Sequence, residues 1–399
     1  MLQNPYVRII LCSRALLQLG IWVRNLAILF YVTDLTGNDP LYVSLISIVE
    51  YAPLFVFAWI GGTFADRWRP KRTMVLCDAL SAVSVVLVLL AVGAGAWYAL
   101  LAGTFVSASL SQFSQPSALK LYKNHVAPEQ LQGLMALSQS LVAIFTVLGP
   151  VIGSFVFLQA GIRVSLCMTA VLFLASSLML SRLPRDERKR EEERSTTFRE
   201  ELKEGLRYLW TSRSLRTVSA TFAVTGLAAG LIQPLGLYIV IDKLGQGKPF
   251  LQWFMLVNGA AMLLGGILIM GQAKKLKPQT LLAAGLMVSA FSTFLVGFST
   301  SVLLTMVLQF LGGLFYPAIQ IGIQTLIMRN TEPAYIGRVG GAITPVFMGT
   351  MVLGIGAAGF VKDLLPLAAI YAGSAALLVL GVLLLLPLLQ REKPAVLSS

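Results

Sequence analysis

Charge is what this chain has least of. Only 12% of its 399 residues are Asp, Glu, Lys or Arg, about half the share usual in soluble domains. That scarcity excludes a water-soluble fold with an ionic coat. Cysteine is scarce and odd in number: Cys12, Cys77 and Cys167 all fall in apolar segments, which excludes a disulfide framework. The single histidine, His125, has no partner at metal-ligand spacing. The chain also lacks a nucleophile–base pair, a phosphate loop and a metal cluster. An enzyme is therefore not expected, nor any cofactor or bound metal. The segment from Met1 to Arg8 is short and polar, and the apolar run after it is too long for a signal peptide and lacks a small-residue cleavage site. It reads as a retained first membrane span.

What the chain has in abundance is apolar sequence, 56% of its residues. The charges are clustered, leaving apolar stretches of about 18 residues or more, the signature of transmembrane helices. The fold class expected is an all-α membrane protein with twelve transmembrane helices in two six-helix halves. The first six spans fall at about 8–33, 41–64, 73–94, 97–120, 131–158 and 162–182. The second six fall at about 217–241, 250–272, 279–298, 301–328, 339–361 and 365–389. The halves are 1–182 and 217–399, with a cytoplasmic linker over 183–216.

The net charge of +13 does not point to nucleic acid, because the basic residues lie in short loops between spans. Lys and Arg resist translocation and so mark the cytoplasmic side. Even-numbered loops carry Lys120 and Lys123, then Lys274, Lys275 and Lys277, then Arg329 and Arg338. Odd-numbered loops carry Asp34 and Asp39, then no charge near Gly93 to Trp97, then Arg163, then Asp242 with Lys243 and Lys248. Both termini are thus expected in the cytoplasm, in a multi-pass protein of the inner membrane. The partners expected are the lipid bilayer, a small-molecule substrate and protons, with the protein monomeric. Within the linker, Phe198, Leu202, Leu206 and Leu209 recur at helical spacing among charged residues. That pattern reads as an amphipathic helix, either at the membrane interface or as a solvated connector.

An internal repeat supports the two halves. Phe113-Ser114-Gln115-Pro116 resembles Leu314-Phe315-Tyr316-Pro317, Val147-Leu148-Gly149 resembles Val352-Leu353-Gly354, and Gly61-Gly62 resembles Gly265-Gly266. These pairs share an offset of about half the chain, as parallel transporter repeats do.

Ionisable residues inside spans are costly in lipid and functional by default. Helix 1 has Arg14 and Arg24, helix 2 has Glu50, and helix 3 has Asp78 near the cytoplasmic interface, while the spans of the second half hold no carboxylate. At 1.5 Å per residue, Arg24 lies about 15 Å below Asp34, and Glu50 about 12–14 Å below the start of helix 2. Arg24 and Glu50 should therefore meet at similar depth, as a static ion pair or as a carboxylate that protonates during a transport cycle. Asp34 is a further coupling candidate, or a solvated cap. A polar, uncharged substrate path is expected from Gln18, Trp22 and Asn25 on helix 1, Gln112 and Gln115 on helix 4, and Gln139 on helix 5. Opposite them stand Gln233 and Tyr238 on helix 7, Asn258 on helix 8, and Gln309, Tyr316, Gln320 and Gln324 on helix 10. The last four share one helical face, and either line a cavity or hydrogen-bond between helices. Such a path suits amphipathic or neutral organic molecules.

The stretch from Gly61 to Arg72 is a short basic turn with one carboxylate. It resembles the loop between the second and third helices of the major facilitator superfamily, roughly G-x-L-A-D-R-x-G-R-K. Gly62, Ala65, Asp66, Arg67 and Lys71 match, Phe64 replaces Leu, and Arg69-Pro70 replaces Gly-Arg. The resemblance implies a cytoplasmic gate in which Asp66 and Arg67 act with Lys71 and Arg72 in support. Gly149-Pro150-Val151-Ile152-Gly153 is similar to the antiporter motif g-x-x-x-G-P-x-x-G-G of drug exporters, with Phe145 and Ser154 at its outer glycine positions. Ordinary close helix packing explains Gly149, Pro150 and Gly153 equally well. Leu35-Thr36-Gly37, Glu50-Tyr51-Ala52-Pro53 and Asp66-Arg67-Trp68 resemble the branch of macrolide-efflux and enterobactin-exporter-type proteins. That branch commonly carries an acid where this chain has Gly20-Ile21-Trp22 and an arginine where it has Pro116-Ser117-Ala118-Leu119. The resemblance implies export by proton antiport with alternating access, driven by a proton gradient. A lipid or siderophore carrier, another substrate-specific exporter, and a non-transporting sensor are the alternatives.

Overall fold

The computed structural model describes residues 4–58, 68–184, 198–272, 277–332 and 335–390. It is all-helical among those residues and divides into two compact units. The first comprises Met1–Arg194 with Lys248–Leu256, the second Ser195–Gly247 with Val257–Ser399.

The first unit holds α1 (Pro5–Leu35), α2 (Pro40–Ala58), α3 (Pro70–Gly93), α4 (Ala99–His125) and α5 (Pro128–Ser181). As a straight rod α5 would be about 80 Å long, far more than a bilayer core. It is not one rod: Gly161 at φ 71° breaks it into limbs 128–160 and 162–181, where the apolar runs separate. The second unit holds α6 (Phe198–Thr211), α7 (Arg213–Ile232), α9 (Pro278–Phe298), α10 (Val302–Arg329), α11 (Ile336–Leu364) and α12 (Leu367–Gln390). Helix α8 (Leu251–Gln272) starts in the first unit and continues in the second. Beyond α7 the chain stays helical through a 3₁₀ turn at Gln233–Leu235 and a π turn at Ile239–Lys243.

Local chemistry sets the helix starts. Helices α1, α2, α3, α5 and α9 all begin on proline, whose missing N–H costs nothing in the first turn. Ser212 and Ser301 cap α7 and α10 by accepting from the Leu215 and Leu304 amides. Between α1 and α2 the chain reverses through Gly37 and Asn38, at φ 63° and 64°, the left-handed region these two residue types tolerate best.

Packing repeats between the units. In the first, α1 lies along α5, α3 packs on α4 and α5, and α2 packs on α4. In the second, α7 lies along α11 and α12, and α9 packs on α10 and α12. Small residues set the close approaches. A Cβ on Gly153 would stand 2.6 Å from the Trp22 carbonyl oxygen, and one on Gly354 2.6 Å from the Leu227 oxygen. Of the neighbours Gly265 and Gly266, the first lies against the Leu314 carbonyl and the second meets nothing within 4 Å. The core of the first unit includes Ile28, Val85, Leu100, Leu166 and Phe173. Many outer side chains are apolar and uncovered, such as Leu90, Val171 and Leu303, which suits lipid rather than water.

Ten helices among the described residues are long and apolar enough to cross a membrane, so the protein is a multi-pass membrane protein. The ten count α5 once and leave out α4, which is interrupted by Lys120, Lys123 and a run of serines and glutamines. Helix α6 docks on α11: Tyr208 stacks on Tyr335 with centroids 4.7 Å apart, and its hydroxyl accepts from the Glu332 amide at 3.2 Å. Leu209 is buried while Arg207 and Trp210 are exposed.

Candidate functional site: a charged and amide-lined cavity

The apolar helices of the first unit carry polar stripes. On α1 these are Arg14 and Gln18, one turn apart; on α4, Ser107, Ser111 and Gln115 follow at four-residue steps; on α5, Ser138 and Gln139 face the same way. Together with Arg24, Glu50 and Asp78 they line a cavity of about 520 Å³, within the range of small-molecule sites.

Two polar clusters stand at different heights in this cavity, since Arg14 and Arg24 are about 15 Å apart along α1. The first is a relay. Arg24 is 3% exposed, and its Nε and Nη2 donate to Asn25 Oδ1 at 3.1 and 3.0 Å. Asn25 Nδ2 in turn donates to Glu50 Oε1 at 2.7 Å. The expected meeting of Arg24 and Glu50 is therefore present, but as a correction to a direct ion pair it runs through the Asn25 amide. Arg24 Nη1 is buried without a partner.

The second cluster ties four helices together. Arg14 Nη2 donates to the Ser114 carbonyl at 2.9 Å, reaching from α1 to α4. Asp78, 3% exposed, accepts from Ser176 Oγ at 2.6 Å, and Ser176 Oγ also lies 2.7 Å from Ser13 Oγ. A carboxylate on α3 is thus held by a serine of α5, which is itself bonded to a serine of α1. Arg14 and Asp78 were visible in the sequence as intramembrane charges, but nothing in it linked them. Ser13 and Ser176 had no signal at all, because an isolated serine in an apolar helix matches no pattern.

The other expected residues are distributed as follows. Gln18, Gln112, Gln115 and Gln139 line the cavity. Trp22 and Asn25 are not among the residues lining this cavity, though Asn25 bonds to Glu50, which is among them. Trp22 is turned onto α5, where a Cβ on Gly149 would fall 2.3 Å from its ring. Gly149, Pro150 and Gly153 are buried at this crossing, so close helix packing accounts for them. Asp34 is paired with Lys248, which also donates to Thr33 Oγ1 at 3.2 Å; it is a partnered carboxylate near the C-terminal end of α1 and is not among the cavity lining. Gln233, Tyr238, Asn258, Gln309, Tyr316, Gln320 and Gln324 belong to the second unit. There Asn258 Nδ2 donates to the Gln309 carbonyl at 3.2 Å, linking α8 to α10, and Gln320 donates to the Tyr316 hydroxyl at 2.9 Å. Tyr238 is buried, with Lys362 5.3 Å from its ring centroid. Gln233 and Gln324 are exposed. Gly62, Asp66 and Arg67 of the gating motif lie outside the described residues. At the start of α3, Lys71 donates to the Leu183 carbonyl, and Arg72 is exposed.

Among the described residues no group of His, Cys, Asp and Glu could hold a metal ion. Helices with apolar outer faces around a cavity furnished with amides and compensated charges suit a membrane carrier. A family model described as Major Facilitator Superfamily matches residues 10–245. The chain belongs to that superfamily, and is a transporter rather than an enzyme. It is 25% identical over 384 residues to an uncharacterized MFS-type transporter, YkuC, of Bacillus subtilis (strain 168), covering 92% of this chain and 87% of that one. It is 26% identical over 367 residues to the multidrug efflux pump Tap of Mycolicibacterium fortuitum, covering 87% of each. The crystal structure of the nucleoside transporter NupG superposes with a TM-score of 0.76 at 13% identity, over 97% of this chain and 99% of that one, which shows a shared fold.

Proposed function

We propose that the protein is a secondary active transporter of the inner membrane that exports small amphipathic compounds in exchange for protons. Counting the limbs of α5 separately and adding α4 brings the ten spanning helices to twelve, with both termini cytoplasmic by the charge of the loops. Likeness to a multidrug efflux pump across most of both chains supports the direction and breadth of transport.

The observation that carries the proton reading is the relay from Arg24 through Asn25 to Glu50 on the cavity wall. A buried guanidinium is tolerable while a carboxylate balances it and costly once that carboxylate is neutralised. Protonation of Glu50 would leave Arg24 uncompensated and favour a state in which water reaches the cavity. Binding or loss of one proton thereby biases a two-state carrier. Asp66 and Arg67, with Lys71 and Arg72, would close the cytoplasmic face, and rocking of the two halves would alternate access to the cavity.

The test is purified protein in proteoliposomes with an imposed pH gradient and a panel of cationic, neutral and acidic fluorescent dyes. Dye accumulation that collapses with the gradient supports antiport. Accumulation that ignores the gradient contradicts it.

A further inference from the structure

The cavity of the first unit is balanced in charge but not in hydrogen bonding. Two guanidiniums, Arg14 and Arg24, and two carboxylates, Glu50 and Asp78, line it. All four are already engaged, with Ser114, Asn25, Asn25 and Ser176 respectively. With all four ionised their formal charges cancel. A ligand of either sign would therefore bring an unmatched charge into a site that strips its hydration.

Donor capacity is nevertheless left over: at Arg24 Nη1, at Gln139, and as a group of three side chains around Arg14. A guanidinium carries five N–H donors, and Arg14 spends Nη2 alone, on the Ser114 carbonyl. Gln18 stands one helical turn along α1 from Arg14, on the same face. Gln115 follows Ser114 directly on α4. Both amides line the cavity, and among the described residues neither bonds to another protein group. The wall around this seat alternates polar residues such as Ser107, Ser111 and Ser138 with apolar ones, Leu17, Ile21, Leu54 and Phe173. Unspent donors without unspent charge fit a neutral acceptor oxygen on an apolar body.

We infer that the cavity recognises uncharged amphipathic molecules through a carbonyl-type oxygen seated among Arg14, Gln18 and Gln115. The inference rests on the reading of this cavity as the substrate site and narrows the class of substrate it takes. Cations and anions of the same shape bind less well, and a hydrocarbon of the same shape leaves the donors unmet.

The test uses four pyrenes of nearly equal size on the full-length protein in detergent, with no proton gradient. Tritiated 1-acetylpyrene is bound in a scintillation proximity assay and displaced by 1-ethylpyrene, 1-pyrenecarboxylate or 1-pyrenemethylamine. A hydrogen bond from a charged donor corresponds to a preference of about ten- to a hundredfold. The acetyl compound is expected to bind tighter than the ethyl compound by that factor, and tighter than both charged analogues. Arg14→Lys and Gln18→Leu should each cut the preference for acetyl over ethyl about tenfold. If Arg14→Lys fails to fold, Gln18→Leu carries that arm, and the wild-type series needs no variant. Equal binding of the acetyl and ethyl compounds would overturn the proposal. So would tightest binding by either charged analogue, or an undiminished preference in the folded variants. Because no gradient is present, these failures leave proton-driven export standing, and a failure of gradient-driven transport leaves the binding preference standing.

Discussion

Alanine at Gly153 tests what the glycines of α5 are for. Its added Cβ would lie 2.6 Å from the Trp22 carbonyl oxygen and 3.2 Å from Leu26 Cβ. A backbone oxygen cannot rotate aside, so α1 and α5 must part by about half an ångström, and overpacking of this kind costs about 1–3 kcal/mol. Alanine also gains about 1 kcal/mol over glycine in a helix, which a control must cancel. Gly266→Ala is that control, because nothing lies within 4 Å of its added Cβ and only the helix gain remains. The two variants should therefore differ by about 1–3 kcal/mol. At about 2–4 °C per kcal/mol for a unit of this size, Gly153→Ala should melt about 2–12 °C below Gly266→Ala. Size-exclusion thermostability in one detergent, run side by side, measures the ranking. Equal midpoints, or a higher one for Gly153→Ala, would refute the packing explanation and leave the motif in need of a dedicated antiport role.

Two further substitutions probe the polar clusters. Asn25→Leu removes the acceptor for Arg24 and the donor to Glu50 together. Gradient-driven dye transport should fall at least about tenfold, the loss expected when one hydrogen bond to a charged group is removed; unchanged transport in proteoliposomes would show that the relay is only structural. Ser176→Ala takes from Asp78 the 2.6 Å hydrogen bond that anchors it. A cost of about 1.5–3 kcal/mol is expected, read as a lower thermostability midpoint, while Ser109→Ala at a half-buried serine bonded only within its own helix should leave the midpoint in place.

Much of the fold was legible because lipid imposes a simple code on sequence. Apolar runs separated by charged or Gly/Pro punctuation located the helices within a few residues, and even the break in α5 fell at Gly161, between two expected spans. The repeat was legible too: Gly149 and Gly354, matched by their neighbours, each seat a close crossing with the first membrane helix of their own unit. Depth followed from helical rise, which brought Arg24 and Glu50 to one level. Contact did not follow from it, nor did Asn25 as the residue between them, because an amide in a span looks the same whether it faces a ligand or a charge. Trp22 is ambiguous in sequence for a similar reason. A large aromatic signals a cavity or a packing knob equally well, and only the glycine opposite decides. The Asp78–Ser176–Ser13 chain was invisible because its members are far apart in sequence and serine has no periodic signature. Asp34 found Lys248, a partner that loop charges alone do not specify.

Glu50→Gln tests the proton reading most directly. Glutamine keeps the size and a hydrogen-bond acceptor toward Asn25, and removes only the titratable charge. Wild-type and variant protein are reconstituted in parallel, and dye movement is followed with an imposed pH gradient and then as exchange between equal concentrations across the membrane at uniform pH. The expected result is loss of gradient-driven accumulation in Glu50→Gln with exchange retained near the wild-type rate. Gradient-driven accumulation at the wild-type level would contradict proton coupling through Glu50 and reduce the relay to a structural support for Arg24.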